Sequence, residues 1–228
     1  MAQPAFDADA LISMFENASG RGGAKLREAA EKATLAGLQG RKLTLKNIRG
    51  ALESVTDAVS QGAAKNIAGV DAGSLLDKAV AGMDDALLKA VQANRAALQQ
   101  FVDRGADLRE KHLRKALDDL DKFEDTLLGA VKKAAADAGP LAAPWQQLLE
   151  KMKAGGTLSG TSAATTVEQF AGQMQDALRG SRAAGMRAAQ ALAEGYAAMA
   201  SGVLVGMMSA LEQSTSPARA AKPAAKKR

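Results

Sequence analysis

Apolar residues recur at helical spacing along almost the whole chain. Leu11, Ile12 and Phe15 share one side of a short helix, opened near Asp7 or Asp9. Either carboxylate accepts from the orphan N–H groups of a first turn. The run Gly20-Arg21-Gly22-Gly23 ends that helix, and residues 24–38, mostly Ala with alternating charges, form a second that runs into Gly40. From Thr44 the pattern sharpens. Leu45, Ile48, Leu52, Val55 and Val59 follow a 3-4-3-4 spacing, which is a heptad seam and not merely an amphipathic face. A gap at 69–73 closes the segment, and Ser74 is expected to cap the next.

The third segment is the longest. Leu76, Val80, Met83, Leu87, Val91, Asn94, Leu98 and Phe101 continue near-heptad spacing. Beyond Gly105 come Leu108, Leu113, Leu117, Leu120, Phe123, Leu127 and Val131, before Gly139-Pro140. No proline interrupts residues 74–137, so an unbroken helix there would reach ~95 Å at 1.5 Å per residue. Gly82, Gly105 and Gly129 are its candidate bends, each costing about 1 kcal/mol relative to Ala. So long a rod must pack in a hairpin, on another subunit or on a surface. Pro144 suits the first turn of a short helix over 144–154, with Trp145, Leu148, Leu149 and Met152 apolar. Residues 155–162 read as a flexible loop, and Thr165-Thr166-Val167-Glu168 as a capping box opening the last helix. That helix carries Phe170, Met174, Leu178, Leu192, Met199, Val203 and Leu211.

The fold class follows: all-α, with long amphipathic helices in a hairpin or coiled-coil-like bundle and a disordered basic C-terminal tail. Four segments are expected: short helices over 1–40, long heptad-patterned helices over 41–139, a helical region with small residues and Met over 140–213, and the tail, 214–228. Composition agrees, because aromatic residues make up only 3% and no period-two β-branched run appears. Alanine buries little area, so stability is expected from small contacts spread along helix seams, and a compact monomer of ordinary density is not expected.

Charge changes the picture at one end only. Residues 1–216 hold 25 basic and 25 acidic side chains, and the whole +5 excess falls in PARAAKPAAKKR, residues 217–228. Arg219, Lys222, Lys226, Lys227 and Arg228 carry it on an Ala/Pro backbone, too poor in apolar surface to repay ordering. Five such charges on duplex DNA would give a log–log salt slope of about −4.5, weak and sequence-blind. The bland alternative is a solubilising tail with no dedicated partner.

Candidate chemistry is sparse. With no Cys, thiolate nucleophiles, disulfides and Cys-based zinc sites are excluded. The acidic N-terminus does not read as a secretory signal, and a cytoplasmic protein is expected. The uncharged stretch 195–211 has 17 residues, short of the ~20 that a membrane span needs, so insertion is not expected. Gly155-Gly156-Thr157-Leu158-Ser159-Gly160-Thr161-Ser162 has phosphate-loop glycine spacing but no Lys before its hydroxyl and no preceding strand. It reads as a linker. His112, the sole histidine, lies among Arg109, Lys111, Arg114 and Lys115 and reads as a solvated surface residue. No catalytic, cofactor or metal residues are assigned.

Two stripes invite partners. A basic block, 104–115, precedes an acidic block, 118–125, which permits antiparallel self-pairing centred near Ala116 through Leu113, Leu117, Leu120, Phe123 and Leu127. The competing reading is a salt-laced solvated helix, since Asp107–Lys111, Glu110–Arg114 and Asp118–Lys122 have the favourable i,i+4 order. In the last helix Ala198, Gly202, Gly206 and Ala210 recur at i+4 beside Met186, Met199, Val203, Met207 and Met208. That pattern suits either close helix packing or an adaptable apolar face.

The Ala/Leu heptads at 45–59 and 76–101, the low aromatic content and the tail Ala220-Ala221-Lys222-Pro223-Ala224-Ala225-Lys226-Lys227 together resemble a phasin. Phasins coat polyhydroxyalkanoate storage granules in bacteria. The resemblance implies a non-catalytic, cofactor-free, granule-associated protein that forms homo-oligomers through its coiled-coil seams. It covers most of the chain in style, and the tail is far shorter than the Lys/Ala/Pro repeats of phasins that hold granules to DNA. Two alternatives stand beside it: a nucleoid-associated protein binding DNA non-specifically through the tail, and a coiled-coil scaffold or membrane-surface protein using residues 195–211.

Overall fold

The computed structural model describes residues 7–39, 43–65, 71–104, 111–180, 199 and 202–208, and among them there is helix and no strand. Eight α-helices follow in order: α1 (Ala8–Gly20), α2 (Gly23–Leu38), α3 (Leu45–Ala64), α4 (Ala72–Asp103), α5 (Lys111–Asp121), α6 (Phe123–Asp137), α7 (Ala142–Gly155) and α8 (Leu158–Gly180). A 3₁₀ turn, Gly139–Leu141, joins α6 to α7, and residues 202–208 are also helical.

Local chemistry explains most of the starts. Asp7 caps α1 by accepting from the N–H groups of Asp9 and Ala10. Thr44 caps α3 through Asn47 N–H. For α4 the cap is Asp71, which accepts from Gly73 N–H at 3.0 Å, not the expected Ser74. Two further expectations are corrected near α8. That helix begins at Leu158, so residues 158–162 are helical and not loop. Thr165 and Thr166 lie inside it, returning their hydroxyls to Thr161 and Ser162 carbonyls and capping nothing. The N-terminal acceptors are Thr157 Oγ1, just before the helix, and two carboxylates from other helices, which no local spacing reveals.

The single long rod also gives way. Its span is divided into α4, α5 and α6, with α4 ending at Asp103 and a break at Lys122. There the Lys122 N–H bonds the Asp119 carbonyl, a tighter i→i+3 turn. The physical reason is packing: α5 lies chiefly on α8, whereas α6 lies on α3 and α7. Gly82 and Gly129 each sit inside an uninterrupted helix, and Gly105 lies outside the described residues.

The expected seams converge on one core inside one chain. Leu and Ala supply most of it, with Phe15, Phe101, Phe123, Trp145 and Phe170 as its large fillers, and Leu204 joins from the C-terminal stretch. The most extensive contact is α2 on α4. Gly23 meets Lys78, Arg27 pairs with Asp85 and Glu31 with Lys89, so the residue numbers rise together and the two helices run parallel. The short turn after α6 sends α7 back along it as an antiparallel hairpin, bringing Thr157 to Glu124.

Candidate functional site

The most elaborate polar arrangement lies where α8 begins. Asp84 belongs to the core-facing side of α4, close to Val80 and Leu87, and is 8% exposed. Its carboxylate accepts from two successive backbone N–H groups of α8, Leu158 at 2.8 Å and Ser159 at 3.0 Å. Glu124, in the first turn of α6, accepts from Thr157 N–H at 2.9 Å. Thr157 Oγ1 accepts from Gly160 N–H at 3.0 Å. The orphan donors of the helix start are thus held by two carboxylates from two other helices and by the Thr157 hydroxyl. Gly156, at φ +69°, makes the turn into the site, and Gly160 leaves room for Glu124, whose Cδ would be 2.6 Å from an added Cβ. The segment with phosphate-loop glycine spacing is therefore a real anion-holding turn, but its anions are the protein's own side chains.

A second feature is an open groove of about 350 Å³ between α3 and α6, lined by Asp57, Ser60, Gln61, Ala134, Asp137 and neighbouring Ala residues. Partial desolvation pushes the Asp57 carboxyl above its ordinary range; Lys133 opposes that, and Glu53 and Asp137 add to it. Lys133 itself bonds Glu53 at 2.9 Å at the groove edge. Beneath lies Trp145, fully buried, its indole N–H donating to Ser60 Oγ at 3.0 Å. Two carboxylates on an alanine floor suit a small polar or cationic group. Among the described residues no cluster of three or more His, Asp or Glu is placed to hold a metal ion.

The stripes singled out in the sequence fall mainly inside the bundle. Ile48, Leu52, Val55 and Val59 are buried in the core, with Leu45 half-buried at its edge. Leu113, Leu117, Leu120, Phe123 and Leu127 are buried too, and Ala116 lies with them. The face of α5 that remains outside carries Lys111, Arg114 and Lys115, then Asp118 and Asp121. Here Lys115 pairs with Asp119 at 3.1 Å, while Asp107 and Glu110 of the expected pairs lie outside the described residues. In the C-terminal stretch Leu204 is buried, while Met199, Val203 and Met207 are half-buried against the core. Gly202 and Gly206 are exposed, and an added Cβ at either would meet nothing within 4 Å. The backbone of His112 belongs to α5, and its side chain lies outside the described set. Arg219, Lys222, Lys226, Lys227 and Arg228 lie outside the described residues, as does most of 195–211. No described helix is long and apolar enough to cross a membrane.

Sequence reasoning missed Asp84 and Glu124. The available signal was Asp84 itself: a carboxylate one turn after Val80 and three residues before Leu87, in a phase otherwise reserved for core residues.

A model of a family of unknown function, DUF6781, matches residues 1–213, and the chain belongs to that family. No curated protein and no solved structure matches.

Proposed function

We propose that this chain is a non-catalytic, phasin-like structural protein that coats polyhydroxyalkanoate granules in the cytoplasm with amphipathic helices and self-associates on them. The observation that carries the reading is where the buried hydroxyls bond. Thr34, Thr126 and Thr166 each donate to the carbonyl four residues back in their own helix, and Thr56 to the one three residues back. None of these hydroxyls needs a neighbouring helix. An apolar face of α2, α3, α6 or α8 can therefore leave its neighbours for an apolar surface without stranding them. Many of the links between helices are ion pairs at the bundle's edges: Arg27–Asp85, Lys65–Glu16, Lys133–Glu53 and Lys151–Asp77. Exposed pairs of this kind contribute only about 0–1 kcal/mol each. Away from the start of α8, the dominant cost of opening is exposure of Leu and Ala faces, and a polyester surface offsets that cost. Self-association then uses heptad seams freed from the intramolecular core.

The test is co-sedimentation of the full chain with amorphous polyhydroxybutyrate particles, together with imaging of a tagged chain in granule-bearing cells. Binding with helical circular dichroism retained supports the proposal. Protein that stays in the supernatant and diffuse in cells removes it.

A second reading, non-specific DNA binding through the tail, is favoured by one observation: all five of the excess positive charges fall within residues 217–228. Truncation after Ser216 separates the two. It abolishes DNA retardation under the second reading and leaves particle binding intact under the first.

A further inference from the structure

We propose that Asp84 and Glu124 form a latch that keeps α8 closed over α5, and that its release bares the two helices' apolar stripes to a hydrophobic surface. This inference rests on the surface-coating reading and names the part of the bundle that opens.

The argument starts from how α8 is held. Its stripe is Ala163, Val167, Phe170 and Met174, at 4-3-4 spacing. Of these, Phe170 is the only large residue fully buried, while Val167 and Met174 are half-exposed. Among the side chains described, up to Met174, that is a thin apolar anchor for a helix lying along α4. Against it stand three backbone N–H bonds to carboxylates at its first turn, made by Thr157, Leu158 and Ser159. Hydrogen bonds to charged acceptors are the strong class, and Asp84's are made away from water. At this end of α8, polar bonds and not apolar packing hold the helix down.

The covered surface is the second half of the argument. α5 packs mainly on α8 and only slightly on α4 and α6. Its buried residues Leu113, Ala116, Leu117 and Leu120 therefore take the larger part of their cover from α8. Lifting α8 uncovers two amphipathic stripes at once and leaves the α2–α4 and α1–α3 contacts in place. The segment can open as a local unit.

The test uses the full chain in three versions: D84N, E124Q and G160A. The last keeps both carboxylates but drives a methyl against Glu124. It therefore remains informative where D84N fails to fold. Amide exchange is followed by mass spectrometry in buffer, and adsorption to polyhydroxybutyrate particles by stopped-flow scattering. Exchange over residues 111–121 and 157–174 should rise about tenfold or more, the factor expected from losing one hydrogen bond to a charged group. Exchange over 45–64 should not change, and the adsorption rate should rise with the opening. Unchanged exchange in all three variants overturns the latch, as does an equal rise in α3, which would mean general loosening. Wild-type adsorption that the opened variants do not accelerate overturns the latch's surface role alone. A wild type that never adsorbs removes the coating reading and that surface role together, while the exchange pattern still decides whether the carboxylates hold α8.

Discussion

Gly82 of α4 lies directly against the backbone of Arg27 on α2: a Cβ added there would fall 2.1 Å from the Arg27 carbonyl oxygen and 3.0 Å from Glu31 N. Both obstacles are backbone, which cannot swing aside. On either side the helices are joined by charge. Arg27 grips Asp85 with two bonds of 2.6 and 2.9 Å, and Lys89 reaches Glu31. Gly82→Ala should therefore force α2 and α4 apart. Overpacking of a tight contact costs typically 1–3 kcal/mol, and this site falls near the top, about 3 kcal/mol. Thermal melting should drop by roughly 6–12 °C for a chain of this size. A variant melting within about 2 °C of the parent would mean that the two helices do not approach this closely.

The same substitution has the opposite sign elsewhere. Gly129 is exposed in the middle of α6, and a Cβ there meets nothing within 4 Å. An added methyl restricts the unfolded chain and disturbs no neighbour. Gly129→Ala should stabilise by about 0.5–1 kcal/mol. Melting curves that place G129A below the parent would show that its surroundings are more crowded than they look.

Which parts of this fold were legible follows from the range of the interactions. The periodicity of Ile48, Leu52, Val55 and Val59 marked the buried face of α3 because helical burial is written at 3-4 spacing. Asp7 was legible, beside Asp9, as a candidate cap because a cap bonds within three residues. The start of α8 was not, since Asp84 and Glu124 lie 74 and 33 residues from their partners Leu158 and Thr157. Nor was the division of the long rod legible. Leu113 and Leu127 keep one apparent phase in sequence, yet their helices are buried against different neighbours. Periodicity says that a face is covered and not by what, so a seam closed within the chain looks the same as one awaiting a second copy.

Ser60 supports the chain's one tryptophan. Its Oγ accepts the Trp145 indole N–H at 3.0 Å and donates to the Thr56 carbonyl at 2.8 Å. Trp145 is fully buried, so Ser60→Ala leaves its N–H without this acceptor. That should cost about 1–2 kcal/mol, with Ser60→Thr restoring part of it. Denaturant unfolding followed by Trp145 emission gives the number directly. A midpoint unmoved by S60A would mean that the indole finds another acceptor.

Two carboxylates should give pH effects of opposite sign. Glu28 is flanked on α2 by Lys25 at 2.9 Å and Lys32 at 2.8 Å. Hydrogen bonds to Lys32 and then Lys25 hold its pKa down at about 2, from an ordinary 4.5. A depressed pKa contributes stability above the ordinary value and loses it as pH falls through the folded one. Glu28 is 41% exposed, so solvent screening leaves only a few tenths of a kcal/mol. Glu28→Gln should be slightly less stable than the parent at pH 7, and the gap should close between about pH 4.5 and 2. Asp57 is raised by desolvation in the α3–α6 groove, so its ionised form weakens the fold at neutral pH. Asp57→Asn should melt slightly higher than the parent at pH 7, with the gain fading as pH falls from above the ordinary carboxylate range down through it, where the parent's own Asp57 becomes neutral, and gone below that range. Melting of the two variants across pH 2–7 reads both signs in one series, and a D57N variant less stable than the parent at pH 7 would show that the groove favours the charged carboxylate.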